Sequence, residues 1–356
     1  MLRLEMLLAG HGDALLLEYG EADDSHRILI DGGPYSSYVQ LGGLRERLLA
    51  LIEAGKGEFE LLVITHVDSD HIDGAIRLLQ DPALADLVFK DIWFNDWKHL
   101  QPTALGVLAG VHGEFLGALL EDRQLPWNIH PKLGGGPVVV PDHGELPELE
   151  LAGDARVTLL SPGPNELVNL RKNWAASVRR AGFSPGDRQA ALEELAQRAR
   201  YGPPHGVLGQ EVDDSPANGS SIAFLFEYQG QRLLLAGDAW PNVLERSLAR
   251  YAKRHGGPVA VADFKLAHHG SFSNLSRSLI QMLKTNRYLV SSSSQYYKHP
   301  DAEAIELILQ NHPDGAPVLV FNYLSPQTRP FADERLQKER GFTALFPTGA
   351  RWGVDD

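Results

Sequence analysis

Four side chains able to bind a metal ion fall within the six residues His66-Val67-Asp68-Ser69-Asp70-His71, directly after the apolar run Leu61–Thr65. Imidazole and carboxylate are the ligand types left when no thiolate is at hand, and the sequence has no cysteine. A single Asp or His in a loop signifies a turn and nothing more. Four in six residues predict instead two ions sharing one loop, His66 and Asp68 on one side and Asp70 and His71 on the other. Two-metal hydrolytic sites hold their ions about 3.5–4 Å apart. Asp238 ends the apolar run Leu233-Leu234-Leu235-Ala236-Gly237, where a carboxylate shared by two cations would offset their repulsion. His268-His269 follow another short apolar run. One of the pair can ligate a metal while the other contacts substrate or holds its neighbour's tautomer. His299, in Lys298-His299-Pro300-Asp301, taken alone is as well explained by a turn.

The elements that must carry these residues repeat one form: apolar strand, polar loop, helix. Residues 1–33 read as a strand pair ending at Asp31-Gly32-Gly33, and Leu44, Leu48 and Leu51 mark a helix over 41–54. A strand at 59–65 leads into the His/Asp loop and a helix over 72–80. Strands follow at 221–228, 232–236, 264–267, 288–291 and 318–321, with helices at 241–254, 274–284 and 302–311. The reactive residue types stand at the C-terminal ends of strands, where α/β architectures build their sites. Residues 90–215 differ in texture, with Trp93, Trp97, Trp127, Trp174, the run Gly134–Gly136 and the bases Arg171, Lys172, Arg179, Arg180, Arg198 and Arg200. They read as an insertion elaborating a single 1–356 domain, and as the surface on which a protein partner or regulator would act. Its bases are either a solvated helix face or a guide for a polyanion, and its tryptophans either core or base-stacking surfaces.

Composition narrows the classes. With 356 residues, 43% hydrophobic and 22% charged, the chain has the profile of a globular protein. Its apolar runs are too short to span a bilayer. The N-terminal residues read as a strand, not a signal peptide, and a cytoplasmic setting without membrane association is expected. The net charge of −13 argues against a broad electrostatic footprint for nucleic acid, but not against a local site where metals supply the positive charge.

The run Thr65-His66-Val67-Asp68-Ser69-Asp70-His71-Ile72-Asp73-Gly74 resembles the signature of the metallo-β-lactamase fold superfamily, with Asp68 where its second histidine usually stands, as in the ComEC-like branch. The resemblance extends in order through Ala9–Glu18, Ile30–Gly33, Asn218–Ile222, Leu234–Asp238, Lys265–Ser271 and Lys298–Asp301, covering about 1–85 and 215–325. It implies an α/β protein, a metallo-β-lactamase-like αββα sandwich with a long insert. It also implies two divalent ions, zinc or manganese, held by His66, Asp68, Asp70, His71, Asp238 and one of His268 and His269. His269 is the preferred ligand and His268 the substrate-side neighbour. Asp31 would support the ligand loop from behind, and Asn218 stands where relatives carry another histidine. Asp70, His268 and His299 would take direct part in the chemistry.

The expected reaction is hydrolysis by a metal-activated water. A carboxylate-rich centre and the ComEC-like motifs favour a phosphodiester, with nucleic acid as the expected substrate. A lactone, thioester or lactam hydrolase, or a metal-stabilised effector without activity, are the alternatives.

Overall fold

The computed structural model describes residues 1–21, 23–100, 110–201, 215–313, 315–347 and 353–354. Two mixed sheets carry the architecture. The first runs in the order Gly353–Val354, Leu2–Met6, Leu15–Glu21, Asp24–Ile30, Leu61–Val63, Ile92–Trp93. The second runs Thr343–Leu345, Val318–Phe321, Arg287–Val290, Asp263–Lys265, Gln231–Leu235, Ala223–Tyr228, Arg156–Ser161, Glu148–Glu150. In each sheet hairpin-connected antiparallel strands occupy one part and parallel strands the other.

Alternation within the strands decides how the layers stack. Leu15, Leu17, Ile28, Ile30, Leu61 and Val63 turn inward and share one core with Val157, Leu159, Phe224, Phe226 and Leu235 of the second sheet. Their sequence neighbours Leu16, Leu29, Leu62 and Ile64 turn outward. These meet the helices Leu44–Glu53, Ser69–Gln80, Val111–Asp122 and Pro164–Arg180 through Leu48, Ile76, Phe115 and Trp174. Beyond the second sheet, helices Pro241–His255, Arg277–Met282 and Ala302–Asn311 bury Leu244, Leu248, Leu279, Ile305 and Ile308. The result is the αββα sandwich. At about 25 cal/mol per Å² of apolar surface, these doubly buried sheets supply most of the driving force for assembly.

Residues 90–215 supply Ile92–Trp93 to the first sheet and Glu148–Glu150 and Arg156–Ser161 to the second, as well as three helices. Trp93 and Trp174 are fully buried and Trp127 nearly so, so these rings are core rather than stacking surfaces. Arg171 lies over the Trp97 ring at 3.8 Å and donates to the Trp97 and Leu100 carbonyls, while Arg198 pairs with Glu194. Arg179 and Arg180 are exposed on the helix surface, and the Arg200 side chain lies outside the described residues. Among the described residues no helix is long and apolar enough to cross a membrane.

Candidate metal centre

The C-terminal ends of the parallel strands of both sheets meet at one edge of the sandwich. Asp31 follows Asp24–Ile30, the His66 loop follows Leu61–Val63, and Asp238 follows Gln231–Leu235. His268 and His269 come after Asp263–Lys265, and Ser291 after Arg287–Val290. Backbone bonds stitch the edge together: Ile222 N donates to the Thr65 carbonyl (2.9 Å) and His268 N to that of Gly237 (3.0 Å).

Helix Ser69–Gln80 sets the first half of the centre. Asp68 takes its N-cap position without making a capping bond, and Asp70 and His71 sit in its first turn. The helix is docked by glycine. Gly32 N donates to the His71 carbonyl (2.7 Å) and Gly74 N to that of Gly33 (2.8 Å). A β-carbon on Gly32 would fall 2.2 Å from Ala75 N, and one on Gly74 1.8 Å from the Gly32 oxygen. Neither position accepts a side chain, which explains the glycines beside Asp31 and Asp73. Asp31, His268 and His269 adopt left-handed backbone conformations (φ 58°, 47° and 55°). Residues with a β-carbon seldom take this conformation, and it costs roughly 1–3 kcal/mol each.

All ten residues singled out above are buried, and seven converge. Asp238 Oδ2 lies 3.7 Å from His66 Nε2, 3.3 Å from His71 Nε2 and 3.8 Å from His268 Nε2. Asp68 Oδ2 is 3.5 Å from His66 Nε2, and Asp70 Oδ2 is 3.4 Å from His269 Nε2 and 3.9 Å from His71 Nε2. Both adjacent histidines therefore face the centre, His268 against Asp238 and His269 against Asp70. His299 stands behind His268, ring centroids 5.2 Å apart. Asn218 is beside the same ring, its Nδ2 3.5 Å from His268 Nδ1, and its Oδ1 accepts from Ser215. His205, a further histidine near Asn218 in sequence, lies outside the described residues.

The tautomers follow from what holds each ring from behind. Asp31 accepts from His71 Nδ1 (2.8 Å), from the Thr65 hydroxyl (2.7 Å) and from Thr65 N (2.8 Å). The Thr65 proton is thereby committed, so at 3.0 Å Thr65 Oγ1 accepts from His66 Nδ1. One carboxylate thus orients two imidazoles. His269 Nδ1 donates to the Ser291 carbonyl (3.0 Å). His268 Nδ1 donates to Asn274 Oδ1 (3.1 Å), whose amide is fixed by its own donation to the Asp238 carbonyl (3.0 Å). Every ring is engaged outward through Nδ1 and turns its Nε2 inward. The Nε2 atoms of His66, His71 and His269, and Asp238 Oδ1, are buried without a hydrogen-bond partner. Carboxylates and imidazole nitrogens gathered in a dry site draw positive charge, supplied either by protons on the rings or by metal ions. The protein fits the metal ions its motif implies, and the backing acceptors are the usual support of ligating histidines.

Electrostatics agree. Burial pulls His71 down, but Asp238, Asp31 and Asp70 hold it well above the ordinary imidazole value. Burial lowers His269 too, but Asp13 and Asp238 outweigh it and raise the ring to about 9. Burial lifts Asp70 and Asp238, yet His71 and the other rings hold both carboxyls below their usual range. His66 and His268 are lowered, chiefly by burial.

Three further contributors lie outside the motif loop. Asp13 Oδ1 is 3.4 Å from His269 Nδ1, and Asp13, His71 and His269 present ligand atoms close enough to hold an ion. Lys265 Nζ, however, donates to Asp13 Oδ2 at 2.8 Å and the Ser291 hydroxyl to Oδ1. Asp13 already has its cation, so its place is behind His269, and Lys265 and Asn274 complete the support. The sequence offers only a faint signal for this pair, a charge of each sign beside an apolar strand, where neither can stay buried alone.

No family model and no curated protein matches the chain. Solved structures do. The chain is similar to the crystal structure of CmlA, a diiron β-hydroxylase from Streptomyces venezuelae, at 15% identity and TM-score 0.44, over 100% of this chain and 54% of that one. A mutant of the same β-hydroxylase gives 15% and 0.43 over the same shares. Unliganded yeast PDE1 is similar at 11% identity and TM-score 0.42, over 99% of both chains. The chain spans about half the length of the CmlA structures it matches.

Proposed function

We propose that this chain is a metal-dependent hydrolase of phosphodiesters. The observation that carries the reading is the set of imidazole Nε2 atoms turned toward Asp238 and Asp70, each ring held from behind through Nδ1, with no lysine or arginine among the described residues reaching these carboxylates. His66, Asp68 and His268 would hold one ion, Asp70, His71 and His269 a second, with Asp238 between. Bound divalent ions supply an activated water near neutral pH and positive charge for phosphoryl oxygens. The donor set, rich in carboxylate and imidazole, suits manganese, zinc or iron.

The chain's own groups do the rest. Asp31, Asn274 and the Asp13–Lys265 pair hold the rings in one tautomer, so no reorganisation is required as charge develops. His299 Nδ1 donates to Asp301 Oδ1 (3.1 Å), and its Nε2 is buried without a partner. That nitrogen is the atom offered to substrate, and when protonated it can give its proton to a departing oxygen, the imidazolium being stabilised by Asp301. A phosphodiester fits the site better than a lactone, thioester or lactam because two cations match the two unesterified oxygens of the phosphate. The ComEC-like motif variant supports the same choice, and a nuclease is its natural form.

The test is elemental analysis of the purified protein together with a panel of DNA, RNA and bis-p-nitrophenyl phosphate with manganese, zinc and iron. Metal-dependent cleavage of a phosphodiester, abolished by chelator, is expected. Cleavage of a lactone or thioester alone would move the substrate class. A metal-loaded protein inert on all of them would leave the effector module.

A further inference from the structure

Exposed aromatic side chains lie against His299 and His11, next to the centre. Among the described residues the exposed large aromatics are Tyr35, Phe272, Tyr296 and Tyr297. Tyr35 is engaged by Arg77, whose guanidinium lies 4.2 Å from its ring centre. Of the other three, Tyr297 lies against His299 and Tyr296 against His11, while Phe272 is tied to Asp301 through its backbone. Tyr297 lies 6.3 Å from His299 with the rings only 20° from parallel. Phe272 N donates to Asp301, the residue that holds His299. Tyr296, 60% exposed, lies 4.4 Å from His11, and Tyr297 lies 6.0 Å from the same ring. His11 in turn feels the charges of Asp70, His71 and His269. Two ladders of rings thus lead outward from the centre, His268–His299–Tyr297 and His11–Tyr296.

The shelf is preformed. Ser293 N donates to the Gly10 carbonyl (2.7 Å) and Gly10 N to the Tyr323 hydroxyl (2.8 Å). The first bond pins the loop carrying His11 to the loop that leads into Tyr296 and Tyr297, and the second ties it to the segment after strand Val318–Phe321.

We propose that Tyr296, Tyr297 and His11 form a stacking subsite for a planar group, a nucleobase, borne by the ester next to the scissile phosphate. The proposal rests on the phosphodiesterase reading and names its substrate class. Aromatic faces presented beside a phosphate-sized centre suit a base, whereas an acyl chain would be met by aliphatic side chains. The −13 net charge opposes a long polyanion, so the unit recognised is a single nucleotide at a strand end or in a small ester.

The full metal-loaded chain decides the matter with two esters sharing one leaving group, the p-nitrophenyl ester of thymidine 5′-phosphate and methyl p-nitrophenyl phosphate. Base–aromatic stacking contributes roughly 1–3 kcal/mol per base. The protein should therefore prefer the nucleoside ester, and the Tyr296→Ala/Tyr297→Ala double variant should lose about tenfold or more of that preference, mainly through KM. Tyr296→Phe/Tyr297→Phe, which keeps both ring faces, should retain it. No preference in the wild type, or one that survives the double alanine variant, overturns the subsite. If neither ester is cleaved, the phosphodiesterase reading falls. The shelf is then read by titrating thymidine 5′-phosphate into the metal-loaded protein: binding weakened by the alanine pair and kept by the phenylalanine pair sustains it, and absence of binding overturns it.

Discussion

Two buried clusters of acids in this molecule are solved in opposite ways. In the 90–215 region Asp96 and Glu114 are fully buried, and Arg188 answers both, pairing with Asp96 and, at 3.1 Å, with Glu114, while reaching Glu121 at 3.2 Å. Glu114 also accepts from Trp174 Nε1 (2.7 Å) and Gly186 N (2.8 Å). That cluster is closed, with an internal cation and a donor for each oxygen. At the sheet edge Asp70 and Asp238 face imidazoles, and among the described residues no lysine or arginine pairs with them. Lys265, the buried cation nearby, is spent on Asp13. A burial count would not tell the two clusters apart; the presence or absence of a permanently charged partner does.

The largest test of the contrast is Asp238→Ala. It should remove bound metal and lower hydrolysis by on the order of 10³-fold or more, while circular dichroism and chelated-state stability stay near wild type. Full metal content in this variant would break the comparison. Arg188→Met is its counterpart. Leaving Asp96 and Glu114 buried and unpaired should cost about 3–5 kcal/mol in urea unfolding, with metal stoichiometry in the remaining folded protein unchanged.

A smaller effect is set by pH. His99 accepts from Asp96 N at Nδ1 (3.1 Å), and burial, then Lys98, lowers its pKa from 6.5 to about 4. Between those values the unfolded chain binds a proton that the folded protein does not. Stability from the neutral ring is therefore complete above pH 6.5 and is lost as pH falls toward 4, on the order of 2–3 kcal/mol. Urea midpoints of wild type and His99→Gln at pH 7 and pH 4.5 measure it, the wild type losing more on acidification. The smallest effect sharpens the role of backing groups. Asp31→Asn can no longer accept from both His71 and Thr65 as an anion, and metal affinity should fall roughly 10–100-fold in competition with a chromophoric chelator. An unchanged affinity would mean that the rings need no such support.

The sequence made the local parts legible. Helix Ala302–Asn311 and strand Val318–Phe321 coincide with the elements expected from periodicity, because amphipathic spacing and flanking turn residues mark both ends. The metal loop was readable because its side chains are consecutive. What escaped was long-range. Lys265 and Asp13 are 252 residues apart, and no spacing rule links them. Strand Arg156–Ser161 lies inside the stretch read as an insertion, yet pairs along Ala223–Tyr228. Its run Val157, Leu159 and Leu160 is short and apolar, and only a partner strand gives it meaning. The two histidines at 268–269 could not be separated by spacing either, since their left-handed backbone turns both rings to the same centre.

The donors divide between the layers: His66, Asp68, Asp70 and His71 follow strands of one sheet, Asp238, His268 and His269 strands of the other. An ion held among them is a clasp across the sandwich. Prying the sheets apart would open the grip and a filled grip would resist the prying, so with ions bound the centre would also be where the two halves of the molecule are fastened.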